Sequence, residues 1–170
     1  MRDRLDALEI ALSNEMEEYE FYKMSAERTD NLLTKTMFEA IAKEEMEHYE
    51  RLKEIREVWQ QDRSWPETTP LKVKKTEVQN VLTDILKKVS APSRPDIDDL
   101  EAIRAAIDFE CEGVMYYDLM KQGVTEANEK AFFNLMSNIE HEHYCYLKDT
   151  EELLLDPAAW QRMRERSGLA

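Results

Sequence analysis

Residues 42–52, AKEEMEHYERL, decide the fold, because Glu45 and His48 stand three positions apart on a stretch with helical periodicity. Phe38, Ile41, Leu52 and Ile55 continue the same face at steps of three and four, which predicts a helix over about 33–60 with a polar insertion at its middle. Residues 136–147, MSNIEHEHYCYL, repeat the pattern with Glu140 and His143 between Phe132, Met136 and Leu147, on a helix expected over about 126–154. Thirty residues before each Glu-x-x-His pair lies another glutamate in an apolar stripe. Glu15 sits among Leu5, Leu8, Leu12, Tyr19, Tyr22 and Ala26, predicting a helix over about 3–28. Glu110 sits among Leu100, Ile103, Ile107, Val114 and Tyr117, predicting one over about 97–121.

Each member of the second set follows its counterpart by ninety-five residues, and the repeat extends further. At the same offset Leu5, Ala7, Ala11, Tyr22, Phe38, Tyr49, Leu52 and Lys53 meet identical residues. Two helical hairpins, residues 3–60 and 97–154, related by an approximate two-fold axis are therefore expected, each burying its apolar faces against the other. Thr29, Asp30 and Asn31 supply the first turn and a cap, Gly123 and Thr125 the second. Between the hairpins Pro66, Pro70, Pro92 and Pro95 exclude long regular helices. Thr76 is placed to cap a short helix with Val78, Val81, Leu82, Ile85 and Val89 on its apolar face, which makes this segment a crossover connection. Pro157 breaks the chain again, and residues 158–167 are expected to form a short terminal helix carrying Trp160.

The 170 residues suit one core, a single domain over 1–170, and the scarcity of glycine and proline beside abundant Glu, Leu, Ala and Lys favours helix over sheet. A formal charge of -14 argues against nucleic acid or an anionic membrane surface as partner. Cys111 and Cys145 form no Cys-x-x-Cys pair, no apolar leader follows Met1, and no run reaches transmembrane length. A cytoplasmic protein is the resulting expectation.

A carboxylate on an apolar helix face is costly to bury unless it is paired or bound to a cation, and no Lys or Arg occupies the inward stripes at these levels. One Glu-x-x-His recurs by chance in Glu-rich helices. Two of them, each thirty residues beyond a core-facing Glu, form a specific signal for a buried pair of metal ions. The structural alternative is an acidic bundle with incidental histidines. On the metal reading Glu45 and Glu140 bridge the two ions, Glu15 and Glu110 are terminal carboxylates, and His48 and His143 each give one neutral nitrogen. Mixed carboxylate and imidazole ligation suits iron or manganese rather than a thiolate zinc site. Six ligands for two ions leave positions open for an oxidant.

Tyr22 and Tyr117 follow Glu15 and Glu110 by one heptad. They are read either as core packing or as hydrogen-bond donors to a ligand carboxylate with a role in carrying an electron. Met16, Met24, Met46, Met115 and Met136 are read as gap-fillers, His141 as a surface residue, and Cys111 as a small buried hydrophobe.

These elements resemble rubrerythrin and related ferritin-like di-iron proteins. ALSNEMEEYEFY resembles the family's first ligand helix through Glu15, and AKEEMEHYERL its second through Glu45 and His48. RAAIDFECEGVMYY matches the third through Glu110, and MSNIEHEHYCYL the fourth through Glu140 and His143. The resemblance implies an all-α, ferritin-like four-helix bundle with a long crossover between the second and third helices and a short C-terminal helix. It also implies two iron ions, with manganese or zinc as substitutes, and a homodimer. Two departures accompany it. The four cysteines of a rubredoxin domain are missing, so electrons are expected from a separate donor protein. The extra glutamate that rubrerythrin carries one turn after its third-helix ligand is replaced by Gly113, while the counterpart of that position in the first helix is Glu18, read as solvent-facing or as a mirrored ligand.

The resulting expectation is a non-heme di-iron redox protein reducing hydrogen peroxide or dioxygen with ferrous iron, with Glu45, Glu140, Tyr22 and Tyr117 as the residues nearest the chemistry. Iron binding or storage without rapid turnover, and oxidation of an organic substrate, are the alternatives.

Overall fold

The computed structural model describes residues 4–66, 76–88, 97–159 and 162. They form α1 (Arg4–Arg28), α2 (Leu32–Asp62), α3 (Val78–Lys88), α4 (Ile97–Gly123) and α5 (Ala127–Leu155), and the chain is helical again at 157–159. Among the described residues there is no strand. The all-α fold and the four long helices follow the hydrophobic periodicity, with ends that move by one or two residues, the usual uncertainty of a fraying terminus. Trp160 and Val89, the Ile85 side chain and most of the expected terminal helix lie outside the described residues.

The first turn is short because the sequence caps it at once. Asn31 leaves the helical region (φ -75°, ψ 111°), and its side-chain oxygen accepts from the amides of Leu33 and Thr34 at 3.1 and 3.2 Å. Two of the donors that a helix start leaves unmatched are thereby satisfied. At the other end of α2, Arg63 turns into the left-handed region (φ 53°) while its amide closes on the Trp59 carbonyl at 3.0 Å. In the crossover, Thr76 Oγ1 accepts from the Val78 amide at 3.1 Å, and Val78 and Leu82 of α3 are buried.

α1 packs along α2 and α4 along α5, so each half of the repeat is a helical hairpin. The halves meet through α1 and α4, while α3 touches α2 and α5. Thr29 donates to Asp99 and Tyr116 donates to the Ala7 carbonyl at 2.6 Å, tying one hairpin to the other. Arg4 pairs with buried Glu129 at 2.9 Å.

Two apolar clusters occupy the bundle interior. Tyr22, Met37, Phe38, Ile41, Ile103, Ala106 and Leu147 belong to one, and Leu8, Leu52, Ile55, Tyr117, Phe132, Phe133 and Met136 to the other. Along the four long helices Glu15, Glu45, His48, Glu110, Glu140 and His143 fall between the segments that feed these two clusters. No helix is long and apolar enough to cross a membrane among the described residues.

Asn31→Ala removes the side-chain acceptor from two helix-start amides, and urea denaturation is expected to show a loss of about 1 kcal/mol in stability with an unchanged m-value.

Candidate metal centre

All six acids and imidazoles singled out by the repeat reach the bundle interior, where none is more than 1% exposed. Their ligand atoms form two quartets, Glu15–Glu45–His48–Glu140 and Glu45–Glu110–Glu140–His143, each with its atoms within 4.8 Å of one another. Glu45 and Glu140 belong to both. Nδ1 of His48 lies 2.7 Å from Glu45 Oε2 and 3.1 Å from Glu15 Oε2, and Nδ1 of His143 lies 3.0 Å from Glu45 Oε1. The two imidazole rings stack with centroids 6.1 Å apart and planes at 21°.

The quartets fit divalent ions on two observations. Both oxygens of Glu140 and one oxygen each of Glu18 and Glu110 accept no hydrogen bond from the described residues, although all are closed off from solvent. Buried polar atoms seldom go without partners. The ion pairs that the clustered acids make, among the described residues, are with the two histidines and with no Lys or Arg. The donors are carboxylate oxygens and imidazole nitrogens without sulfur, a set suited to iron or manganese.

Burial and mutual repulsion set the protonation of the metal-free cluster. Burial pushes the Glu15 carboxyl up to about 7, against the lowering pull of His48. Burial, with the charges of the neighbouring glutamates, drives Glu140 and Glu18 well above the usual carboxylate range. Burial would also raise Glu45, but the imidazoles of His48 and His143 on either side outweigh it and hold Glu45 below the ordinary value. Burial alone would lower His48, yet the Glu45 and Glu15 carboxylates push it up to about 10. The same opposition, with Glu110 as the main partner, raises His143. Without metal, protons and imidazolium charge carry the compensation that divalent ions would otherwise supply.

Tyr22 and Tyr117 are core residues that also donate hydrogen bonds to buried carboxylates. Each reaches across the bundle, Tyr22 to Glu110 and Tyr117 to Glu15. Burial beside carboxylates raises both phenols, so their hydroxyls keep the proton they donate.

Three expectations need correction. Glu18 is not solvent-facing: it is 6% exposed, one turn beyond Glu15 and turned into the bundle beside the quartets. Cys111 is exposed, because a residue adjacent to an inward helix position is rotated by about 100° from it. Met24 and Met115 are 49% and 66% exposed and fill no core gap, whereas Met136 does. His141 is on the surface, with Cys145 Sγ 3.7 Å from its Nε2. Gly113 is buried against Glu140: a Cβ there would lie 3.3 Å from Glu140 Cγ, so the glycine leaves room for that carboxylate.

One neighbour of the cluster escaped the periodicity altogether. Glu44 accepts from His143 Nε2 at 2.8 Å and from the Glu77 amide at 2.7 Å. Burial would raise its carboxyl, but His143 and that amide hold it below the ordinary value. The one sequence signal is a break in the repeat, since Ile139 stands ninety-five residues beyond Glu44.

The rubrerythrin family model matches residues 6–92, from α1 through the crossover helix. The chain belongs to the rubrerythrin family. A hypothetical protein from Pyrococcus furiosus shares the fold, with a TM-score of 0.68 and 22% identity over 91% of each chain. No curated protein matches the chain. For a rubrerythrin family member, two carboxylate–imidazole quartets with two shared glutamates fit a di-metal protein.

The metal-free protein should lose stability as pH rises. His48 moves from 6.5 up to about 10 on folding, so its contribution is complete below 6.5 and disappears as pH climbs through 10. Glu15 moves from 4.5 up to about 7, and its contribution disappears as pH climbs through 7. Thermal melting of the chelator-treated chain is expected at a lower temperature at pH 9 than at pH 6, and divalent metal should reduce the difference.

Proposed function

We propose that this chain is a di-iron oxidoreductase that reduces hydrogen peroxide or dioxygen with electrons from ferrous iron. The observation that carries the proposal is the sharing of Glu45 and Glu140 between the two quartets, because shared carboxylates hold two ions close enough to act on one small molecule. Glu15 and Glu110 are the terminal carboxylates, and His48 and His143 the nitrogen donors. Two ferrous ions held by these six residues would supply one electron each, the two electrons that, with two protons, the reduction of one hydrogen peroxide to two waters requires.

The protein residues orient and enclose. Tyr22 fixes Glu110 from the opposite hairpin, and Tyr117 fixes Glu15 in the same way, each leaving one carboxylate oxygen to face the cluster. The flanking apolar clusters exclude bulk water. Burial of all six donors supports a small oxidant rather than a bulky organic substrate. Cavities of about 310, 370 and 430 Å³ on the described surface are lined by other residues. Iron is preferred over manganese or zinc because the family resemblance points to it and the donor set accommodates it. Reducing electrons then come from a separate donor protein, and the working unit is a homodimer in the cytoplasm.

Anaerobic titration with ferrous iron, followed by separate peroxide and dioxygen challenges, tests the reading. Two irons per chain are expected, with rapid oxidation by at least one of the oxidants and a spectroscopic signature of coupled ferric ions. Two irons retained with only slow oxidation would assign the chain to iron holding. Failure to take up two ions would overturn the di-metal reading.

A further inference from the structure

The internal repeat gives each half one glutamate pair and one histidine at matching positions, but it does not surround the two histidines equally. Both turn Nδ1 toward the shared carboxylates, leaving Nε2 on the far side of each ring. His143 Nε2 lies 2.8 Å from Glu44 Oε2, whereas His48 Nε2 is buried and has no hydrogen-bond partner among the described residues. Where a copy of Glu44 would complete the symmetry, the chain has Ile139, whose side chain offers no acceptor.

Glu44 is itself held from outside the bundle. Its second oxygen accepts the Glu77 amide at 2.7 Å, at the entry to α3, and the next turn is closed by Thr76 Oγ1 accepting from Val78 at 3.1 Å. The Glu44 side chain is only 15% exposed, so water competes little for the bond to His143. An acceptor fixed in this way keeps the proton on Nε2 and leaves the Nδ1 lone pair directed into the quartet. It also fixes the ring and makes the ligating nitrogen a better donor. His48 receives none of these effects.

We propose that Glu44 is a positioning residue that makes the two metal positions unequal, so that the ion held by His143 and Glu110 binds more tightly than the ion held by His48 and Glu15. The inference rests on the di-metal reading and adds an order of filling to it. It also links that filling to the crossover: the first amide of the α3 entry and the His143 ring share one carboxylate, so occupation on the His143 side tightens the start of α3.

Anaerobic calorimetric titration of the full chain with ferrous iron tests the inference, using Glu44→Ala and the more conservative Glu44→Gln. The native chain should take up two ions in two resolved steps. Glu44→Ala should weaken the tighter step by about 10- to 100-fold and leave the other in place. Glu44→Gln, which keeps one neutral acceptor, should lose less and guards against a folding defect in the alanine variant. In the diamagnetic zinc-loaded chain, nitrogen NMR should show His143 with its proton on Nε2, and amide exchange at Glu77 should slow on loading. A role limited to supporting the fold would weaken both steps by the same factor, and that result, or two unchanged steps, would overturn the inference. If the native chain bound no iron or zinc, the di-metal reading would fail, and this inference with it.

Discussion

Five carboxylates shut away from water, with only two imidazoles among them, set the terms for the rest of this structure. Removing each charge from water costs several kcal/mol after relaxation, and among the described residues no lysine or arginine pairs with these acids to offset it. The fold must therefore supply protons, imidazolium or metal ions in the same place. The two apolar clusters make that demand strict, because they remove the solvent that would otherwise screen the acids. They also pack the long helices tightly enough to hold four helix faces in register around the acids.

The internal two-fold explains how so costly a cluster is assembled. Neither hairpin completes a quartet alone. The first supplies Glu15, Glu45 and His48 and needs Glu140 from the second; the second supplies Glu110, Glu140 and His143 and needs Glu45 in return. The tyrosines make the same exchange, each reaching the terminal carboxylate of the other half. The groups that offset charge thus come together only when the hairpins dock. Packing and site formation are coupled, and the acidic faces destabilise a half that stands alone.

Much of this arrangement is legible in one dimension. Glu15, Glu45, Glu110 and Glu140 interrupt apolar stripes of helical period, and the constant offset shows that they belong to two copies of one unit. Periodicity gives the direction of a side chain but not the width of the buried strip, so it does not decide whether Glu18 meets solvent. Three positions after Glu15 it lies near the stripe, and whether it meets solvent depends on how closely α1 approaches its neighbours. Cys111 shows the opposite edge, where one step along α4 leaves the interior altogether. Glu44 was hidden for a different reason. Its partners, His143 and the Glu77 amide, lie in other elements, and the crossover carrying Glu77 has no counterpart in the repeat.

The departures from symmetry have a common electrostatic sense. Four glutamates match the charge of two divalent ions, and neutral imidazoles add none. Glu18 brings a fifth carboxylate to the first half, while the related position in the second half is Gly113, whose missing side chain makes room for Glu140. In the metal-free cluster, burial together with the charges of Glu45, Glu15 and Glu110 holds the proton affinity of this fifth carboxylate well above the ordinary value. The break between Glu18 and Gly113 therefore places the surplus acid in the first half of the repeat and the space for Glu140 in the second.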